Sequence, residues 1–155
     1  KGKSIKAGPY GLVKYTDYDE GLAAAKEAGK PIFLDFTGHA CVNCKKMETT
    51  VWSDSRVRDM LANDFIIISL YVDDRTVLPE DQQFVSETTG KKIRTVGNKW
   101  TDFMINRYKV NSQPYYVILD HNEVVLNTPR GFNSDTEAYV EWLREGLGAF
   151  RLSNE

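Results

Sequence analysis

One short segment of the chain combines a buried strand, a tight turn and two closely spaced cysteines. Residues 31–36 read Pro-Ile-Phe-Leu-Asp-Phe, a nearly continuous apolar run of the kind found in a central strand that is covered on both faces. Residues 37–40 form the turn, Cys41-Val-Asn-Cys44 follows, and residues 45–48 continue as a helix. The segment therefore predicts a strand, a turn and a helix whose first turn holds both cysteines.

This position at the beginning of a helix makes the cysteine pair reactive. Unpaired backbone N–H groups and the positive end of the helix dipole favour a thiolate there. Because Cys41 and Cys44 are three residues apart, both sulfur atoms lie on one face of the helix within bonding range. Cys41 can then attack a substrate disulfide, and Cys44 can resolve the mixed disulfide that results.

Two other interpretations of the cysteine pair stay open. A purely structural disulfide is one, although so short a loop removes little entropy from the unfolded chain. A metal site is the other, although zinc normally takes four ligands and only His39 and His121 could supplement the two thiols. We favour redox chemistry, and we expect neither a cofactor nor a bound metal.

The composition limits the classes of protein to which the chain can belong. Its 155 residues suffice for one domain with a sizeable core. The formal charge of -2, from 20 basic and 22 acidic residues, gives no electrostatic footprint for nucleic acid. No apolar run is long enough to cross a bilayer, and the first residues lack the apolar stretch of a signal peptide. We therefore expect a domain cut from a longer chain, or a processed N-terminus.

Periodicity and capping residues predict alternating strands and helices. We expect a linker or tail at 1–10, a domain at 11–150 and a C-terminal tail at 151–155. The predicted strands are 12–15 at an edge, 32–36 and 65–72 at the centre, and a hairpin made of 115–120 and 123–127. The predicted helices are 17–29, 43–63 with a break near Ser53, and 100–108. A last helix begins with a capping box at Ser134 and Glu137. Its buried face carries Tyr139, Val140, Leu143 and Leu147.

Residues 73–98 show no clear periodicity and are long for a plain connection. We interpret them as an insertion with a helical turn around residues 81–86. The order of the remaining elements predicts an α/β fold, a mixed sheet with helices on both faces.

Asp35 is a carboxylate within an apolar central strand. Burial of a carboxylate is costly unless it is paired or protonated, and burial raises its pKa. Asp35 lies six residues before Cys41, at the end of the strand from which the turn departs, so it could take the proton from Cys44 when that sulfur must attack. The alternative is a carboxylate that reaches a polar edge or a backbone N–H group.

Pro114 precedes a predicted strand and follows Gln113. A cis bond between them would turn the chain sharply and leave the backbone of Gln113 free to pair with an extended substrate. From the residues alone a trans bond is favoured, since cis is a small minority of X–Pro bonds.

His39, two residues before Cys41, either raises the thiolate population as a cation or is simply exposed. We assign packing roles to Trp52, Trp100 and Trp142, a solvated helix face to Lys45 and Lys46, and no function to His121.

The run from Lys30 to Glu48, a later proline before a strand and a terminal Gly-Phe before a helix resemble the thioredoxin superfamily. Within it the chain looks most like the C-terminal periplasmic domains of DsbD-type thiol:disulfide interchange proteins, over roughly residues 10–147. The resemblance implies a thioredoxin-like fold with an N-terminal β-α extension and an insertion around 73–98. It also implies Cys41 as nucleophile, Cys44 as resolving thiol, Asp35 as the buried carboxylate and Pro114 as the cis-proline. From the residues themselves, we expect Asp35 to accept a proton, Pro114 to position the substrate, and His39 and Gln113 to modulate the redox pair.

The same resemblance implies a pathway for electrons. Membrane-embedded cysteines of the same polypeptide would reduce this domain, which would reduce an N-terminal periplasmic domain and other protein disulfides, in support of cytochrome c maturation and disulfide isomerisation. We expect a periplasmic location as part of an inner-membrane protein and a monomeric isolated domain. A free-standing periplasmic thioredoxin-like protein and a metal-binding or non-redox binding module are the alternatives.

Four positions depart from the family pattern. Ala40 stands where a tryptophan usually precedes the first cysteine. Ser69 stands where thioredoxin has a lysine beside the buried carboxylate, so Asp35 is expected to lack that ion-pair partner. Val42 and Asn43 replace the Gly-Pro pair of thioredoxin between the cysteines.

Overall fold

A five-stranded mixed sheet forms the centre of the computed structural model, which describes residues 4–154. Its strands are β1 (Ile5–Ala7), β2 (Val13–Tyr15), β3 (Ile32–Thr37), β4 (Ile66–Tyr71) and β7 (Tyr115–Leu119), and a separate hairpin contains β5 (Phe84–Val85) and β6 (Lys92–Ile93). The order across the large sheet is β1-β2-β4-β3-β7, with β2, β4 and β3 parallel and the two outer strands antiparallel. The predicted thioredoxin-like α/β fold is confirmed.

Five helices cover the two faces of this sheet. They are α1 (Tyr18–Ala28), α2 (Val42–Thr50), α3 (Ser55–Asn63), α4 (Val96–Tyr108) and α5 (Thr136–Ser153). Within residues 4–154, none of the helices combines the length and the apolar character that a membrane crossing requires.

Strand β3 is buried along its whole length, as its apolar sequence predicts. Since side chains alternate along a strand, its residues divide between two separate cores. Phe33 packs with residues of α2, α3 and α5. Ile32, Leu34 and Phe36 pack with residues of α1 and α4. Asp35 is two residues after Phe33, so its side chain lies on the same face of the sheet, which is the face that α2 covers.

Local signals in the sequence account for the ends of the helices. The side chain of Asp17 accepts a hydrogen bond from the backbone N–H of Glu20 and begins α1, and Gly29 ends it in a left-handed conformation with φ of 69°. The predicted break between α2 and α3 is present, and Asp54 caps α3. Trp52, Trp100 and Trp142 are buried, as are the four predicted contact residues of α5.

The two ends of the chain correct the sequence analysis. Within the predicted linker, Ile5–Ala7 forms β1, which pairs with β2, so β2 is not an edge strand. Helix α5 continues through Ser153 and takes up most of the predicted C-terminal tail. Residues 1–3 of the predicted linker and Glu155 of the predicted tail lie outside the described residues.

Three further details differ from the predictions. Residues 123–127 form no regular strand, although an isolated bridge between Leu119 and Val125 and a hydrogen bond from the N–H of Leu126 to the carbonyl of Ile118 pair this segment with β7. Asp135, not Ser134, caps α5, and its side chain accepts from the N–H of Ala138. Helix α4 begins at Val96, since Thr95 and Asn98 form a capping box. The insertion holds a 3₁₀ turn at Glu80–Gln82 and the β5–β6 hairpin.

Candidate active site

The two cysteines occupy the beginning of α2. Cys41 is the N-cap residue, and its sulfur accepts a hydrogen bond of 3.2 Å from the backbone N–H of Cys44. The pair forms a disulfide with its Cα atoms 5.3 Å apart. Cys41 is partly exposed, whereas Cys44 is only 3% exposed. A partner can therefore reach the first sulfur, while the second reacts only with groups already inside the site.

Asp35 lies on the central strand β3, on the face of the sheet that α2 covers, and is only 2% exposed. Burial raises the pKa of its carboxyl to about 7, although the positive charge of Lys14 and a hydrogen bond from Ser69 oppose the rise. The Ser69 hydroxyl donates to Oδ2 over 2.9 Å, from the position directly across on β4. A carboxyl with a pKa near 7 can both accept and return a proton at neutral pH.

Lys14 supplies the charge that the sequence analysis did not find at Ser69. It lies on β2, is buried, and donates a hydrogen bond to the hydroxyl of Tyr71. Its ammonium group also lies 5.0 Å from the centre of the Tyr71 ring. The field of Lys14 lowers the pKa of Asp35. The site therefore retains a cation near the buried carboxylate, provided by a different strand.

The signal for Lys14 is present in the sequence but weak. Leu12 and Lys14 alternate with the exposed Val13, so a lysine occupies an inward position of a short strand. A buried lysine needs a polar or charged partner, which indicates a functional or structural pair. The partner could not be identified from the sequence because Tyr71 is 57 residues away.

The peptide bond between Gln113 and Pro114 is cis. Pro114 is buried and precedes β7, which runs antiparallel to β3 with Tyr115 opposite Phe36. This register brings Pro114 to the same end of the sheet as the turn that leads from β3 to Cys41. Sequence reasoning from the residues alone favoured trans, and the family resemblance implied cis.

The two predicted modulators have different surroundings. The ring of His39 is exposed on one side and stacks on Tyr71 at a centroid distance of 4.2 Å, directly before the cysteine pair. The side chain of Gln113 instead turns to the start of its own loop, where Nε2 donates to Asn111 at 3.4 Å and contacts the sulfur of Met104. His121 contacts the carbonyl of Lys30.

The described residues do not group the side chains that could bind a metal. In residues 4–154, no cluster of three or more His, Cys, Asp or Glu side chains could hold a metal ion. The chemistry that the arrangement supports is exchange between the two thiols and a disulfide, with Asp35 positioned beneath α2.

The sequence matches the model of a known protein family. The model described as thioredoxin-like matches residues 14–120, which run from β2 to the end of β7. This chain belongs to the thioredoxin-like family. Its fold and its Cys41–Cys44 pair are those of a thiol-disulfide oxidoreductase.

Among curated proteins, the thioredoxin-like chain is similar to the thiol:disulfide interchange protein DsbD of Ralstonia nicotianae. The identity is 40% over 68 residues, which is 41% of this chain and 11% of that protein. The matched segment is thus a small part of that relative. The predicted resemblance to DsbD-type proteins is confirmed.

Solved structures share the fold at lower identity. A thioredoxin from Thermus thermophilus has a TM-score of 0.61 and 24% identity, covering 92% of both chains. The C-terminal domain of DsbD from Neisseria meningitidis in the reduced form has a TM-score of 0.52 and 18% identity, covering 83% of this chain and 91% of that one.

Proposed function

We propose that this domain is a protein-disulfide reductase that relays electrons by dithiol–disulfide exchange through Cys41 and Cys44. The observation that carries the proposal is the asymmetric cysteine pair, with an accessible sulfur at a helix N-terminus and a buried sulfur behind it. Such a pair is suited to form a mixed disulfide with a partner and then to resolve it from within.

The reaction begins with the reduced domain. The Cys41 thiolate attacks one sulfur of a substrate disulfide, the substrate S–S bond breaks, and the other substrate sulfur leaves as a thiolate. Asp35 then accepts the proton of the Cys44 thiol. The resulting Cys44 thiolate attacks the Cys41 sulfur, the mixed disulfide breaks, and the second substrate thiolate leaves. Two electrons have passed to the substrate, and the domain ends in the disulfide form.

The loop before β7 provides a place for the substrate chain. The cis bond at Pro114 turns the backbone of Gln113 at the end of the sheet where Cys41 lies. We propose that an extended segment of the substrate pairs with this backbone and presents its disulfide to Cys41. The side chain of Gln113 then acts only through the loop, since it contacts Asn111 and Met104.

The similarity to DsbD supports a place for the domain in a longer relay. In this proposal a membrane-embedded cysteine pair reduces Cys41–Cys44, and the domain then reduces periplasmic proteins, among them an N-terminal domain of the same polypeptide. The domain itself is monomeric, faces the periplasm and serves cytochrome c maturation.

Two cysteine variants test the mechanism. We expect Cys41→Ser to lose all turnover in an insulin reduction assay, and Cys44→Ser to accumulate mixed disulfides that mass spectrometry detects. Thermal unfolding of the reduced proteins shows whether each variant is folded. Undiminished insulin reduction by folded Cys41→Ser would overturn the proposed mechanism.

The equilibrium with glutathione tests the direction of electron flow. For an electron donor we expect a reduction potential closer to that of thioredoxin, about -270 mV, than to that of the oxidant DsbA, about -120 mV. A value near that of DsbA would contradict the reducing direction while leaving the dithiol mechanism intact.

A further inference from the structure

The turn before the cysteine pair is held by a carboxylate from another part of the chain. Asp73 follows β4, and its Oδ1 accepts a hydrogen bond of 2.8 Å from the backbone N–H of His39. Its Oδ2 accepts a second, of 3.0 Å, from the N–H of Ala40. These are the two residues immediately before Cys41, so one carboxylate binds two consecutive backbone N–H groups of the turn.

The local sequence is built to admit this carboxylate. A Cβ atom at Gly38 would lie 3.1 Å from Oδ2 of Asp73, a tighter approach than most real Cβ contacts. The carbonyl of Gly38 accepts from the N–H of Cys41 over 3.3 Å, which closes the turn on the nucleophile. Glycine at this position therefore lets the Asp73 carboxylate approach the turn.

Beside Asp73, Lys45 and Tyr71 also contact the turn. The ammonium group of Lys45 donates to the carbonyl of His39 over 3.0 Å, and the His39 ring stacks on Tyr71. The side chain of Ala40 is a methyl group, which cannot form a hydrogen bond that would hold the turn. Burial opposes ionisation of Asp73, but the N–H groups of Ala40 and His39 outweigh it and keep the pKa of that carboxyl below its ordinary value.

We propose that Asp73 is a positioning residue for the redox reaction: by binding the N–H groups of His39 and Ala40 it fixes the place from which Cys41 attacks a disulfide. The inference rests on the proposed function, in which Cys41 is the nucleophile. Hydrogen bonds to an ionised carboxylate are stronger than neutral ones, and a displaced nucleophile reacts more slowly because attack on a disulfide needs a defined geometry.

The test measures how fast the reduced domain reacts with the disulfide reagent DTNB in a stopped-flow experiment. We expect Asp73→Ala to lower the second-order rate constant about tenfold. Asp73→Asn keeps one carbonyl acceptor and should recover part of the rate, to about threefold below the unchanged protein. Rescue by the amide separates positioning from a general loss of structure.

Asp74 provides the matched control. Its Oδ1 accepts from the N–H of Thr76 over 2.9 Å, so it is a neighbouring carboxylate that holds a different loop. We expect Asp74→Ala to react within about twofold of the unchanged protein. An unchanged rate in Asp73→Ala, an equal loss in Asp74→Ala, or no rescue by Asp73→Asn would each overturn the proposal. If Asp73→Ala does not fold, a rate for Asp73→Asn equal to that of Asp74→Ala would overturn it instead.

The same experiment distinguishes the two levels of inference. If Cys41→Ser reacts with DTNB as fast as the unchanged protein, the nucleophile is wrong and the proposed function fails. If the reaction depends on Cys41 but not on Asp73, only the role of Asp73 fails.

Discussion

The two faces of β3 are equally buried, but only one of them carries an ionisable side chain. On one face Ile32, Leu34 and Phe36 meet the apolar residues of α1 and α4. On the other, Asp35 lies beneath the helix that carries the cysteines, with Ser69 and the charge of Lys14 near it. The first face is entirely apolar, whereas the second, on which Phe33 also packs in a core, gives up stability at Asp35 to keep a titratable group inside the protein.

The largest expected effect concerns the pH dependence of stability. Because burial raises the pKa of Asp35 from 3.8 to about 7, the folded protein binds a proton that the unfolded chain releases between about pH 4 and 7. The free energy of unfolding of the oxidised protein should therefore fall as pH rises through that window, by about 4 kcal/mol from this residue.

Urea denaturation from pH 4 to 8 measures this fall, with Asp35→Asn as the comparison. The amide cannot ionise and can still accept the Ser69 hydrogen bond, so the variant should lack this contribution and be more stable than the unchanged protein above pH 7. A parallel pH dependence in the two proteins would show that the cost of Asp35 lies elsewhere.

A substitution on the apolar face sharpens the contrast. Leu34 is fully buried, and Leu34→Ala should lower the free energy of unfolding by about 3 kcal/mol because it removes apolar contacts and leaves a cavity. The rate of insulin reduction per folded molecule should stay unchanged. A large loss of rate in folded Leu34→Ala would mean that the two faces of the strand are coupled.

Asp35→Asn should also slow the second chemical step. Without a proton acceptor at residue 35, resolution of the mixed disulfide by Cys44 should slow about 100-fold at pH 7. Attack by Cys41 should change much less, since Cys41 is at the helix N-terminus and partly exposed. Rapid-quench analysis of the mixed disulfide separates the two steps, and equal slowing of both would remove Asp35 from the role of proton acceptor.

The part of the site that lies within one segment could be predicted from the sequence. The strand, the turn, the helix start and the buried position of Asp35 all follow from residues 31–48, where spacing and hydrophobicity are sufficient. Lys14 and Asp73 could not be predicted in the same way. Each acts on that segment from a different strand or loop, and the pairing of β2 and β3 with β4 that brings them there depends on the whole sheet.

The N-terminal strand illustrates the same limit. Residues 1–10 are rich in lysine and glycine and lack the pattern of a strand, yet Ile5–Ala7 pairs with β2 and is exposed along its length. Edge pairing depends on backbone groups that a neighbouring strand leaves open, and hydrophobic patterning does not report them. The hairpin predicted from 115–120 and 123–127 is only partly formed, since its first half is β7 and its second half pairs with β7 through an isolated bridge at Val125 instead of a regular strand.

The smallest expected effect comes from Lys14, which contacts neither cysteine in the described hydrogen bonds and acts through its charge. Because that charge lowers the pKa of Asp35, Lys14→Met should move the midpoint of the pH–rate profile for resolution to higher pH. Lys6→Met is the matched control, since Lys6 lies opposite Lys14 on β1 and is exposed. Solvent screens an exposed charge, so the control should leave the midpoint in place. Equal midpoints in both variants and the unchanged protein would mean that Ser69 alone opposes the effect of burial on Asp35.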